Sequence, residues 1–201
     1  MIVDPRDISA NAIYRFLTSV VVPRPIAFVS TVSAASAFNV APFSYFNVVA
    51  STPPLLSIAI SPRKGEIKDT LRNIQDVGDF VINIVDEALN ARAVEASGDW
   101  PRDVDEFHIT GLTPVPSDIV RAPRVGESPV SLECTLFRLV ELGQSTLVIG
   151  EMVRAHVRDD VLSDGHVDVE RLRPVGRLGG DAYAPVRGVV HLPRPRVERP
   201  S

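Results

Sequence analysis

The 201-residue chain holds one cysteine, which rules out an intramolecular disulfide and the paired thiols of a zinc ribbon. Cys134 stands in the apolar alternation Val130-Ser131-Leu132-Glu133-Cys134-Thr135-Leu136, where the expected role is a small packed side chain rather than a nucleophile. Histidine is equally sparse. His108, His156, His166 and His191 show no HExxH spacing and no accompanying cysteine or carboxylate cluster, so no zinc centre is signalled. His156, which follows an apolar strand, is the one kept as a site candidate. The chain has no G-x-S-x-G elbow, no G-x-G-x-x-G and no G-x-x-x-x-G-K-[ST]. Gly176-Arg177-Leu178-Gly179-Gly180 superficially resembles a glycine loop, but it neither follows a convincing strand nor opens a helix. No apolar run approaches the ~20 residues of a membrane span, and Met1 to Arg15 lacks the apolar core of a secretory signal. The cytoplasm is the expected compartment. A net charge of −4 and an isoelectric point near 5.6 argue against a nucleic-acid binder.

What is present suits one globular domain over 1–201, able to bury a core without disulfides: 45% of residues are hydrophobic and 23% charged. Seventeen prolines against twelve glycines, with little helical periodicity, point to many short strands and loops. Ser9 is placed to cap a helix from Ala10 to Leu17. Val20–Val22 and Ile26–Val32 read as strand, broken at Pro23-Arg24-Pro25, and Ser33–Ala37 as a hairpin turn. Phe38–Val49 reads as a strand-pair region in which Pro42 marks an edge or bulge. Leu55–Ile60 and Phe80–Val85 are strands. A helix starts near Lys68 and ends near Gly78, and another spans Glu87–Ala96. Gly98–Asp105 is a loop. Val130–Leu142 and Thr146–His156 form a hairpin across Gly143-Gln144, and Asp164-Gly165 is a turn. Arg173–Arg187 reads as a loop, and 193–201 as a frayed tail.

The chemistry concentrates between Arg24 and Thr70. Two apolar strands there are each followed by hydroxyls, amides or cations: Asn39 to Ser51 after the first, and Ser61-Pro62-Arg63-Lys64-Gly65 with Lys68-Asp69-Thr70 after the second. Donors and positive charge at strand ends are what a phosphate-bearing ligand requires. Composition and spacing alone stop at a β-rich domain with a candidate anion site near Ser61 to Thr70, and a solvated cationic turn is the competing reading.

RPIAFVST, NVAPFSYFNVVASTPPLLSIAI, KDTLRNI, GDFVINIV and RLGGDAYA, in that order from about Asp4 to Ala184, resemble the flavin reductase family with the FMN-binding split-barrel fold, in its flavoredoxin-like branch. One departure is the turn Ser33-Ala34-Ala35-Ser36-Ala37, where such proteins usually carry an Asp/Gly signal.

The resemblance implies a mainly β fold with helical inserts: a six-stranded antiparallel split barrel of Greek-key type. It further implies a homodimer with FMN near the interface. Small residues on a strand edge would let the backbone approach the flavin rim, which suits Thr31, Asn39, Val40, Ala41 and Pro42. The phosphate would suit Ser44, Ser61, Arg63, Lys64, Lys68 and Thr70, and Tyr183 beside Gly179-Gly180 would pack near the ring. Phe43, Tyr45 and Phe46 read as core or dimer contacts before flavin stackers. Lys68 with Arg72 also fits a solvated helix face, and Asn39 a turn. No catalytic side chain and no metal are implied. The implied function is hydride transfer from NAD(P)H to flavin N5, with reduced flavin passed to a partner monooxygenase or another acceptor. A carrier of FMN without NAD(P)H activity is the alternative. Arg177 and His156 are the candidates for contact with the nicotinamide.

Overall fold

The computed structural model describes residues 2–102 and 104–195. The expected tail 193–201 therefore lies outside the described residues from Arg196 onward, as does Asp103 within the expected loop 98–105. Helix α1 (Ala10–Val20) leads into strands β1 (Arg24–Pro25), β2 (Ala27–Val32), β3 (Phe38–Phe43), β4 (Phe46–Ser51) and β5 (Pro54–Ile60). Helix α2 (Asp69–Val77), β6 (Asp79–Ile84), α3 (Asn90–Glu95) and α4 (Glu106–Ile109) follow. After the short pair β7 (Pro114–Val115) and β8 (Arg124–Val125) comes the long hairpin β9 (Val130–Leu142) and β10 (Ser145–Val157). The chain then forms β11 (Leu162–Ser163), β12 (His166–Val167), α5 (Val169–Leu172), β13 (Val175–Arg177) and β14 (Tyr183–Pro185).

Seven antiparallel strands make the main sheet, in the order β3-β2-β6-β9-β10-β5-β4, one more than the six expected. β3 also approaches β5 across the curl of the sheet, which gives the split-barrel shape. The strands alternate around two cores. Ala27, Val29, Ile58, Ile60, Phe80, Ile82 and Val148 fill the barrel with Leu71 and Ile74 of α2. Ile26, Phe28 and Val40 face outward under Leu89, Ala93 and Phe107. Both faces of β2 are thus buried, which is why its sequence shows no apolar-polar alternation; its two hydroxyls, Ser30 and Thr31, are buried as well. Packing inside is close: a Cβ at Gly150 of β10 would overlap the Phe80 ring and come 3.3 Å from Cys134 Cβ. Burial pushes the Cys134 thiol up to about 12, with Glu133 adding to the effect, so it is inert.

Three expectations are corrected. α1 runs to Val20, so Val20–Val22 is helix end and loop rather than strand. Thr18 and Val20 are β-branched and poor helix formers, but the Arg24 guanidinium donates to Thr18 O and Val21 O, both at 2.8 Å, and closes the helix end. The helix expected over Glu87–Ala96 is shorter, because the Asp86 side chain accepts from Leu89 N at 2.8 Å and holds a turn before Asn90. Arg173–Arg187 is not all loop: β13 pairs with β1 and β14 in a small second sheet. Strands of three residues carry no readable period.

Two buried polar groups that the sequence did not mark pin the 116–126 segment onto the barrel. Asn83 donates to Phe28 O and Ser30 Oγ and accepts from Val125 N and Ser131 Oγ, which satisfies its whole amide. Glu133, fully buried, accepts from the backbone N–H groups of Asp118, Ile119 and Val120 and bonds His156 Nε2. Burial alone would raise that carboxyl, but these four contacts outweigh it and hold it well below the usual range.

Candidate functional site

Two adjoining cavities lie at the free edge of β3 and share Pro42 and Ser97. The first, about 500 Å³, is walled by Asn39, Ala41 and Pro42 of β3, by the 63–72 connection from β5 into α2, and by 96–102 after α3. Lys68 is the residue before α2, with extended backbone (φ −65, ψ 146), and its Nζ sits 5.0 Å from the centre of the Phe43 ring. Among the described residues no carboxylate lies within 4.0 Å of this half-buried ammonium. Burial first, and then the Arg63 charge, lower its pKa, with Asp99 opposing. The other two cations of the turn are engaged. Asp99 pairs with Arg63 and, at 3.1 Å, with Lys64, while Arg63 also donates to Gly98 O at 2.8 Å. The hydrogen bond from Lys64, together with the nearby Arg63, holds the Asp99 carboxyl below its ordinary value against slight burial.

The floor of this cavity is set by the Asn39 amide. Its Oδ1 accepts from Thr70 Oγ1 at 2.8 Å and from Thr31 Oγ1 at 3.3 Å, and its Nδ2 donates to Glu106 Oε1 at 2.9 Å. Asn73 Nδ2 donates to Thr31 Oγ1 at 3.0 Å and completes the chain. Glu106 Oε2 is buried with no partner among the described residues.

The second cavity, about 630 Å³, lies between α1, the end of β3, α3 and the 177–183 turn. Ser44 lines it, 3.4 Å from Arg24 Nε. Tyr183 also lines it and is stacked under Arg177, whose guanidinium carbon is 4.5 Å from the ring centre.

The sequence-marked residues divide accordingly. Asn39, Ala41, Pro42, Arg63, Lys64, Lys68 and Thr70 line the Lys68 cavity. Pro42, Ser44 and Tyr183 line the second. Thr31, Val40 and Ser61 line neither. Thr31 is buried behind Asn39, the Val40 side chain belongs to the outer core, and the exposed Ser61 Oγ meets Ser145 Oγ at 2.8 Å. His156 is bonded to Glu133 and lines a different cavity, beside Arg124 and Arg158, so it stands apart from this site; Arg177 lies within it. The serine-rich turn expected to differ from its relatives closes through Ser33: Ser33 N donates to Ala37 O, Ser33 Oγ accepts from Ala37 N, and Ser36 takes φ 67. Asp99 and Glu106 were missed, since a carboxylate in a polar loop carries no signal of the cation or amide it will meet.

This geometry defines a class: a split barrel with a cation-lined cavity against its edge strand. Residues 19–173 match the family described as flavin reductase like domain, and the chain belongs to that family. Among solved structures it is similar to nitrilotriacetate monooxygenase component B from Bacillus cereus, at 36% identity and TM-score 0.92, covering 96% of this chain and 98% of that one. It is similar also to the 2-nitrobenzoate 2-nitroreductase NbaA of Pseudomonas fluorescens, at 32% identity and TM-score 0.89, covering 97% and 96%. Flavoredoxin of Desulfovibrio vulgaris matches at 31% identity and TM-score 0.77, covering 85% and 91%.

Burial pushes the Glu106 carboxyl up, and its own amide, the Asn39 side chain and the Val40 amide pull it back only in part. A folded value above the unfolded one means that the native state binds the proton more tightly. The contribution of Glu106 to stability is therefore fullest below the unfolded value and is lost as pH rises through the folded one. Glu106→Gln keeps an acceptor for Asn39 and carries no charge. It is expected to raise Tm at pH 7 and to match the wild type below about pH 4. A variant less stable than wild type at pH 7 in calorimetry contradicts this account.

Proposed function

We propose that the chain is an FMN-dependent oxidoreductase that takes hydride from NAD(P)H and hands the electrons on to an acceptor. The observation that carries this reading is Lys68, a half-buried ammonium without a carboxylate partner among the described residues, set in a cavity with four further cations, of which Arg63 and Lys64 pair with Asp99 and Arg102 with Asp69. A phosphate monoester, with nearly two negative charges, offsets such a cluster and accepts charge-assisted hydrogen bonds from it. The cavity opens past Pro42 toward Ser44 and Tyr183, which leaves room for a flat ring beyond the phosphate. These residues therefore fit FMN.

In this reading Lys68 holds the phosphate, and Arg63 and Lys64 join it by exchanging Asp99 for the ligand. Ala41 and Pro42, small and on the sheet edge, let the ring lie against backbone. Asn39 keeps that edge in register with Thr70, while Thr31 and Val40 support it from behind. Bound FMN supplies the redox chemistry through hydride uptake at N5. The chain's own part is to orient the ring and set the charge around it, which requires no side-chain acid or base.

A homodimer is proposed as well. Leu17, Val20 and Val21 at the end of α1, with Tyr45, Val48 and Val49 on and beside edge strand β4, are exposed apolar side chains of the kind an interface covers. A monomeric mass by light scattering at micromolar concentration, with flavin bound, contradicts it. Component B of a nitrilotriacetate monooxygenase, at 36% identity, favours a monooxygenase as the acceptor. No described helix is long and apolar enough to cross a membrane, and the cytoplasmic NAD(P)H pool is the proposed donor source.

The test is anaerobic. With the protein saturated in FMN, NADH or NADPH is expected to bleach the oxidised-flavin band far faster than with free FMN. Flavin that stays oxidised with both nucleotides selects instead the carrier reading, which the likeness to flavoredoxin favours. Lys68→Ala with Arg63→Ala is expected to weaken FMN binding by about 2–4 kcal/mol, Lys68 carrying the larger share because Asp99 already occupies Arg63. Unchanged affinity in a fluorescence titration rejects the phosphate assignment.

A further inference from the structure

A third cavity, of about 540 Å³, shares no lining residue with the two at the β3 edge. Val115, residues of the 124–131 segment and Ala155–Arg158 wall it. Its charged and titratable members are Arg124, His156 and Arg158, and no aspartate or glutamate lines it, in a chain whose net charge is −4. Arg124 gives Nε and Nη2 to one neutral oxygen, Pro116 O, at 3.2 and 3.1 Å, and among the described residues no carboxylate lies within 4.0 Å of it. Arg158 gives Nε to Asp160 Oδ1 at 2.6 Å, and Asp160 and then Asp86 hold it in its cationic form. Among the described residues Arg124 Nη1 and both terminal nitrogens of Arg158 have no acceptor. Guanidinium N–H groups not spent within the fold are what a phosphate or carboxylate takes.

His156 adds a group whose tautomer the fold dictates. Its Nε2 bonds Glu133 Oε1 at 2.5 Å, and Glu133, held ionised by three backbone N–H groups, can only accept. The hydrogen of that bond therefore sits on Nε2. Nδ1 has no partner among the described residues, in a side chain only 21% exposed. A proton on Nδ1 makes it a donor beside the two arginines.

The same ring belongs to a cluster with the look of a metal site, since one ligand atom each of Asp118, Glu133 and His156 lie within 4.8 Å of one another. The surroundings disfavour a cation. Both Glu133 oxygens already accept two bonds each, and Arg154 stands 3.7 Å from Asp118. On the cavity lining itself the charge is only positive, which selects an anion.

We propose that this cavity is an anion-binding site, separate from the Lys68 cavity, for a small molecule that bears a phosphate or carboxylate group. Arg124, Arg158 and His156 Nδ1 bind the oxyanion, and Val115, Val125 and Val157 leave an apolar wall for a short carbon skeleton. Occupancy joins β8 to the end of β10, beside the Glu133 anchor of residues 118–120, so the ligand also stabilises that segment. The site does not depend on the flavin reading. Two sources share the chemistry, a phosphate ester and a carboxylic acid.

Histidine side-chain NMR reads the site directly. Inorganic phosphate or succinate is titrated, at constant ionic strength balanced with chloride, into protein saturated with FMN, which fills the Lys68 cavity. The same titrations are run without FMN on Lys68→Ala with Arg63→Ala, so that the outcome stands even if wild type binds no flavin. His156 is assigned by the loss of its signals in His156→Gln, which keeps a donor for Glu133. At least one probe is expected to shift the His156 ring nitrogens saturably, with Kd below about 10 mM, while those of His108, His166 and His191, which line none of the three cavities, stay in place. Binding is expected to weaken by about tenfold or more in Arg158→Ala and in Arg124→Ala. Arg158 is exposed, so that variant leaves the core intact. Phosphate ahead of succinate identifies a phosphate ester as the ligand class, and the reverse order a carboxylic acid. The proposal is overturned if neither probe gives a saturable shift up to about 50 mM, if both arginine variants bind as wild type does, or if all four histidines move together, which marks general screening.

Discussion

One asparagine amide joins the pieces of chain that make the site. Through Thr31, Thr70, Asn73 and Glu106, Asn39 links β3 to β2, α2 and α4. Without that chain of hydrogen bonds, β3 would be an ordinary edge strand, free to shift against the helix that follows Lys68. The network is largely removed from solvent, so each of its bonds counts for more than a surface bond, and each orphan costs more. Among the described residues, Glu106 Oε2 is the one orphan in it. The carboxylate stands at a wall that the rest of the cavity makes positive.

Charge around the two cavities is handled in opposite ways. At Lys68 the cations are mixed with acids, and Asp99 occupies Arg63 and Lys64 in the form described. A phosphate that took the place of Asp99 at Arg63 and Lys64 would release the half-exposed Asp99 carboxylate to solvent, which hydrates it. At Arg24 the guanidinium is solvated by carbonyls at the end of α1 and by Leu178 O, and among the described residues no carboxylate lies within 4.0 Å of it. The same guanidinium that ends the helix therefore also sets the field of the cavity beneath it. Fold and recognition share one side chain there.

How much of this could be read from the sequence follows from where each signal resides. The β9–β10 hairpin, α2 with its left-handed Gly78 cap, and the β5 and β6 strands are local patterns, and they appear almost where periodicity and turn residues put them. The cations at 63, 64 and 68 with Asn39 were also legible, because hydroxyls and charge after an apolar strand are a local feature. The length of α1 was not, since it depends on Arg24 reaching back to Thr18. Nor was the β1-β13-β14 sheet, whose β1–β13 pairing joins residues some 150 apart in the chain, Arg24 with Arg177 among them. Asp99, Glu106 and Asn83 act across distances in sequence that composition does not encode. Thr31 shows the converse. It was marked as a small residue on a strand edge, and the fold buries it and turns its hydroxyl inward to hold the residue that faces the cavity.

The central claim is that a phosphate, and not the flavin ring alone, holds the ligand at Lys68. Comparing FMN with riboflavin, which has the same ring and sugar chain but no phosphate, isolates that contact. The account predicts that FMN binds roughly 10–100-fold more tightly at low salt. It also predicts that the gap narrows as ionic strength rises, since the Lys68 cavity is open to solvent. Equal affinities for the two flavins at every salt concentration would contradict it.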